Sequence, residues 1–118
     1  MLSQFTVKNY KSIKEAVTFD MQAAVISEHT DRIINDADGQ AYLPVSAIYG
    51  PNGGGKSNVL EAMHTLKSRI ISPIIAAGSS DERVKRLPVV PFKFDVECKN
   101  RPTEFEIYFR TAKAEYRY

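Results

Sequence analysis

The 118 residues carry 16 lysines and arginines against 14 aspartates and glutamates, a formal charge of +2, with 43% hydrophobic and 25% charged residues. That is apolar material enough for one folded domain or a piece of a larger one, and the near balance of charge makes no case for a nucleic-acid or membrane-surface partner. A lone cysteine, Cys98, excludes an internal disulfide, MLSQFTVKNYKS lacks a signal-peptide pattern, and no apolar run approaches the ~20 residues a membrane span needs, so a cytoplasmic location is expected.

LSQFTVKNY predicts a first strand, with Phe5 and Val7 on one face and Thr6 and Lys8 on the other. Residues 16 to 19 predict a second, and Asn9, Lys11, Ser12 and Lys14 between them have the composition of a turn. Residues 21 to 43 read as a polar loop or insertion with a turn at Asp38-Gly39. Val45 to Tyr49 is β-branched and apolar, which suits a strand buried on both faces. From Ser57 the period changes. Val59, Leu60, Met63, Leu66 and Ile70 recur at helical spacing, predicting a helix to about Ile71, with Pro73 and Gly78 breaking the pattern.

GSSDERVKRLP reads as a charged loop. Phe92, Phe94 and Val96 then alternate with Lys93, Asp95 and Glu97; after CKNRPT, Phe105, Ile107 and Phe109 alternate with Glu104, Glu106, Tyr108 and Arg110. The two runs are expected to form an antiparallel hairpin within an antiparallel β-lobe over 91–118, with AEYRY beginning a third strand. Tyr116-Arg117-Tyr118 keeps strand character without a turn or a polar tail, so the domain is expected to be truncated here, its remainder lying past residue 118.

The chemistry is concentrated in GPNGGGKSN, residues 50 to 58. Gly50, Gly55, Lys56 and Ser57 fulfil G-x-x-x-x-G-K-[ST] between an expected strand and an expected helix, the 44–71 unit. A polyphosphate is held by inward-pointing backbone amides, and such a nest needs dihedrals that a Cβ disfavours; Gly53, Gly54 and Gly55 supply them. Asn52 and Asn58 flank the nest. The amides and dipole of the following helix aim at the same anion. Lys56 is expected to reach the β- and γ-phosphates, and Ser57 to offer its hydroxyl to Mg²⁺.

GPNGGGKSN, with FTVKNYKSIKEAVTF at the amino end, resembles the loops and first strands of ABC-type ATPase heads, including chromosome-structural-maintenance, double-strand-break-repair and RecF-like proteins. That resemblance implies ATP as the nucleotide and places Lys11 and Ser12 beside it. PFKFD, PTEFEIYF and EYRY extend the likeness to bacterial AAA-type ATP-binding proteins with ABC-like heads, among them overcoming-lysogenization-defect-like ATPases and ATPase partners of RloB-type proteins. The implied fold is an α/β P-loop NTPase head, here the amino-terminal lobe of an incomplete sandwich whose central sheet surrounds Val45 to Tyr49. The implied role is ATP binding, with hydrolysis in a complete protein, in anti-phage defence. The implied partners are nucleotide, a second head in a homodimer or higher oligomer, and an effector such as a nuclease. Gly54 departs from the group, where Ser or Ala is usual.

The other parts of such a catalyst are missing from the sequence. No apolar strand ends in Asp-Glu, and Asp81-Glu82 follows Gly-Ser-Ser; the signature segment and switch histidine are absent, and His64 falls off the apolar face of the helix. Negligible turnover by this chain alone is therefore expected. Alternative readings are a DNA-repair or chromosome-maintenance head, a non-hydrolysing assembly module, and a small P-loop kinase. The kinase is disfavoured because two strands precede the loop. Arg83, Lys85, Arg86 and Lys93 form a basic group without interleaved aromatics, which does not support nucleic-acid contact.

Overall fold

A computed structural model describes residues 1–26, 28–78, 89–111 and 113–118, and the side chains of all of these except 75–78. The charged loop, with Asp81, Glu82, Arg83, Lys85 and Arg86, falls outside the described residues.

Alternation places Ser3, Phe5 and Val7 of β1 (Leu2–Lys8) on one buried face. β1 pairs antiparallel with β2 (Val17–Asp20), matching Phe5 with Phe19 and Val7 with Val17. On its other side β1 pairs antiparallel with a strand from the far end of the chain. Between them in the chain, β3 (Ile34–Asn35) and β4 (Ala41–Tyr42) form a small separate hairpin, and α1 spans Lys56–Gly78. A short α2 (Val96–Lys99) precedes β5 (Glu104–Arg110), and β6 (Glu115–Arg117) follows. The main sheet runs β2-β1-β5-β6. β1 meets β5 with Phe5 opposite Ile107 and Val7 opposite Phe105.

The core is the layer between this sheet and α1. Ala62 and Leu66 of the helix close over Phe5, Val7, Tyr10 and Ile13, with Val59, Met63, Ile70, Phe105 and Ile107 packed around them. Full burial of a side chain the size of Phe5 or Val7 contributes about 1.5–3 kcal/mol through water release.

Four expectations are corrected. Residues 45 to 49 are not a strand: no described residue pairs with their backbone, and Val45 and Tyr49 are 79% and 90% exposed. A strand buried on both faces needs a neighbour on each side, and the central sheet forms around β1 instead. The helix does not stop near Ile71 but runs through Pro73 to Gly78, because the loss of one amide donor is offset by the surrounding helical bonds and by packing N-terminal to it. Leu60 lies off the packed face, at 60% exposure, while Ala62 and Thr65 lie on it.

The fourth concerns the expected hairpin. Residues 92–95 are irregular and Val96–Lys99 is helical, so β5 takes β1 and β6 as partners. Asp95 explains the change locally: its side chain accepts from the amide of Glu97 at 2.9 Å and starts the helix. AEYRY does supply β6. Within the segment read as a loop, Asp36 organises a turn by accepting from the amides of Asp38 and Gln40, and Gly39 has φ 79°.

Candidate functional site

Residues 50 to 58 join an exposed extended segment to the start of α1. Gly50, Gly53 and Gly55 have φ of 155°, 81° and 83°, a backbone course that favours glycine. Gly54 closes an internal turn by donating to the Pro51 carbonyl at 3.2 Å. A Cβ there would sit 3.1 Å from the same oxygen, so Gly54 has a steric use even though its φ is ordinary.

The first turn of a helix leaves backbone donors unpaired. Here Asn58 and Val59 return theirs to the Gly55 carbonyl, at 2.9 and 3.3 Å. The amides of Gly53, Gly55, Lys56 and Ser57 have no acceptor among the described residues. Lys56 turns back over the loop, and its ammonium donates to the carbonyls of Gly50 at 2.8 Å and Pro51 at 2.7 Å. A cation and a set of free donors therefore share one small, exposed bend. This is a fit for a polyphosphate.

The β1–β2 turn forms the opposite wall. Asn58 Nδ2 donates to Ser12 Oγ at 2.6 Å, and a Cβ on Gly55 would lie 3.2 Å from that oxygen. A cleft of about 450 Å³ lies between turn and loop, lined by Ser12, Lys14, Tyr49, Gly50, Gly54 and Lys56 among others. Of the residues expected at a nucleotide, the loop glycines, Lys56, Asn58 and Ser12 are thus brought together. Asn52 and Ser57 are exposed and do not line the cleft.

Lys11 adjoins Ser12, but its ammonium is paired with the Glu61 carboxylate and lies 5.7 Å from the Tyr10 ring centroid. The hydrogen bond it donates to the Glu61 carboxylate is the main reason its pKa is raised. His64 is exposed on α1, away from the loop. For Mg²⁺, no cluster of three or more His, Cys, Asp or Glu side chains that could hold a metal occurs among the described residues, so Ser57 would have to share the ion with phosphate oxygens.

Two residues that sequence reasoning passed over matter here. Glu61 was one helix residue among several, and only the fold sets it against Lys11. Asn9, read as turn composition, is 3% exposed with φ 52°, and its Nδ2 donates to the carbonyls of Cys98, Arg101 and Pro102 at 2.8, 2.9 and 3.2 Å. Its Oδ1 accepts from the Phe92 amide at 3.0 Å, and its carbonyl accepts from Thr103 at 2.7 Å. The one local signal was an Asn directly after an alternating strand, at a position where the left-handed region is open to it.

Residues 45–118, well over half of the chain, match the family described as "AAA domain, putative AbiEii toxin, Type IV TA system". The chain is also similar to the chromosome partition protein Smc of Halothermothrix orenii, at 25% identity over 112 residues; that alignment covers 87% of this chain but 8% of the Smc protein. No solved structure matches. No helix among the described residues is long and apolar enough to cross a membrane.

Proposed function

The chain belongs to this AAA domain family, and from that premise we propose that residues 50–58 hold the triphosphate of ATP with Mg²⁺, as part of an ABC-like ATPase head. The observation that carries the reading is the bend itself: positive-φ glycines, amides at the start of a 23-residue helix with no acceptor among the described residues, and the Lys56 ammonium folded over the Gly50 and Pro51 carbonyls. Binding exchanges the carbonyl partners of Lys56 for phosphate oxygens. The free amides of Gly53, Gly55, Lys56 and Ser57 take further oxygens, and Ser57 supplies a hydroxyl to the metal. Ser12 and Asn58 close the side of the site that faces the β1–β2 turn.

The same reading extends to the protein as a whole. It is a cytoplasmic ATPase head that pairs with a second copy through bound nucleotide, hydrolyses ATP once the water-orienting and signature elements are present, and serves anti-phage defence through an effector such as a nuclease. Membership of a family described in terms of a toxin–antitoxin system is what supports the defence setting. The test is direct. Mg²⁺-ATP titrated into the full chain, followed by calorimetry, is expected to give saturable binding that Lys56→Ala abolishes, with no steady turnover by the chain alone. Equal binding by Lys56→Ala and the parent chain overturns the site.

A further inference from the structure

The β1–β2 turn meets α1 in antiparallel order: Ser12 with Asn58, Lys11 with Glu61, and Tyr10 with Thr65, the last through hydroxyls 3.0 Å apart. Helix residues spaced by three and four form one stripe, and this stripe starts at the phosphate loop. The backbone of the turn is fixed independently of these contacts. Tyr10 and Ile13 exchange hydrogen bonds of 2.8 and 2.7 Å, and the Lys11 amide donates to Val90 at 2.8 Å. What is left adjustable is the Lys11 side chain. Its partner Glu61 sits one helical turn from Ser57, about 6 Å of helix rise, within the swing of a lysine stem. Both side chains are partly solvated, at 29% for Lys11 and 47% for Glu61. An ion pair so placed is weak enough to be exchanged for a stronger anion.

We propose that Glu61 is a competing counter-ion for the nucleotide: it holds the Lys11 ammonium when the loop is empty and releases it to polyphosphate when the loop is filled. The inference rests on residues 50–58 being the phosphate site. Its consequence is that Glu61 lowers nucleotide affinity and favours ligands with more phosphate charge, because only a strong anion draws Lys11 away. Glu61 is a positioning residue, acting through Lys11 without touching the ligand.

The experiment titrates a fluorescent ATP analogue with Mg²⁺ into the full chain at low salt. Glu61→Gln keeps the shape of the side chain and removes its charge, and is expected to tighten binding about two- to fivefold. In a Lys11→Gln background the same substitution is expected to change nothing. Unchanged or weaker binding by Glu61→Gln overturns the proposal, as does a gain that persists without Lys11. Thermal melts without nucleotide establish that each variant folds; should Glu61→Gln fail to fold, Glu61→Asp, which loosens the pair, is expected to shift affinity in the same direction, and no shift overturns it. Lys56→Ala separates the two claims. If it binds normally the phosphate site itself is wrong, whereas loss of binding with an inert Glu61→Gln condemns the counter-ion alone.

Discussion

Asn9 carries more non-local hydrogen bonding than any other side chain around the turn, joining the end of β1 to segments 83 to 93 residues away in sequence. Asn9→Ala leaves three carbonyls and one amide without their partner, and is expected to destabilise the chain by about 2–4 kcal/mol in urea unfolding. Asn9→Gly, which keeps the left-handed backbone, should recover only part of this loss. Gly55 makes the opposite kind of demand. Alanine there meets Ser12 Oγ at 3.2 Å with φ at +83°, so Gly55→Ala is expected to cost about 1–2 kcal/mol and to weaken Mg²⁺-ATP binding. Paired melts with and without nucleotide would show both effects. The glycine was legible in the sequence because its constraint is local. The asparagine was not, because a hydrogen-bonding side chain says nothing of which distant carbonyls will reach it.

At the level of elements, α1 shows packing overriding propensity. Pro73 is exposed inside the helix and cannot donate to the preceding turn. Pro73→Ala is expected to stabilise the chain by about 1–3 kcal/mol and to slow amide exchange over residues 70–74. The α2 segment shows a cap overriding a strand pattern. Lys14, 2.8 Å from Asp95, is the main reason the Asp95 carboxyl is held below its ordinary range, followed by the Glu97 amide. Lys14 is raised in turn, chiefly by Asp95. For the aspartate the resulting stability is present above its unfolded pKa of about 3.9 and is lost as pH falls through the lowered folded value. For the lysine it is present below its unfolded pKa and lost as pH rises through the raised one. Asp95→Asn is therefore expected to flatten the acid limb of a melting-temperature profile while leaving the neutral region nearly level.

Over the whole molecule, the order β2-β1-β5-β6 sets the start of β1 beside the end of β5: the Met1 ammonium donates to the Arg110 carbonyl at 2.6 Å. The Arg110 guanidinium then ties the β3–β4 hairpin to the sheet, pairing with Asp36 at 2.7 Å and with Asp38. Asp36 and Arg110 are largely buried, so Arg110→Ala strands a carboxylate and is expected to cost about 3 kcal/mol, read by chemical denaturation. Val45, Tyr49, Phe94 and Val96 lie open to solvent. Concentration-dependent self-association is expected in sedimentation, and a Val45→Ser, Tyr49→Ser, Phe94→Ser variant should reduce it.

The sequence alone determined the glycine-rich bend at 50–58, the helix after it and the strands at both ends, since each is written in neighbouring residues: a glycine run, a helical period, an alternation. It could not determine that β5 would choose β1 over residues 92–97, that 45–49 would find no partner, or that Lys11 would be held by Glu61. Those outcomes depend on which surfaces the packed chain brings within a few ångströms, and contacts between residues tens of positions apart leave no local pattern to read.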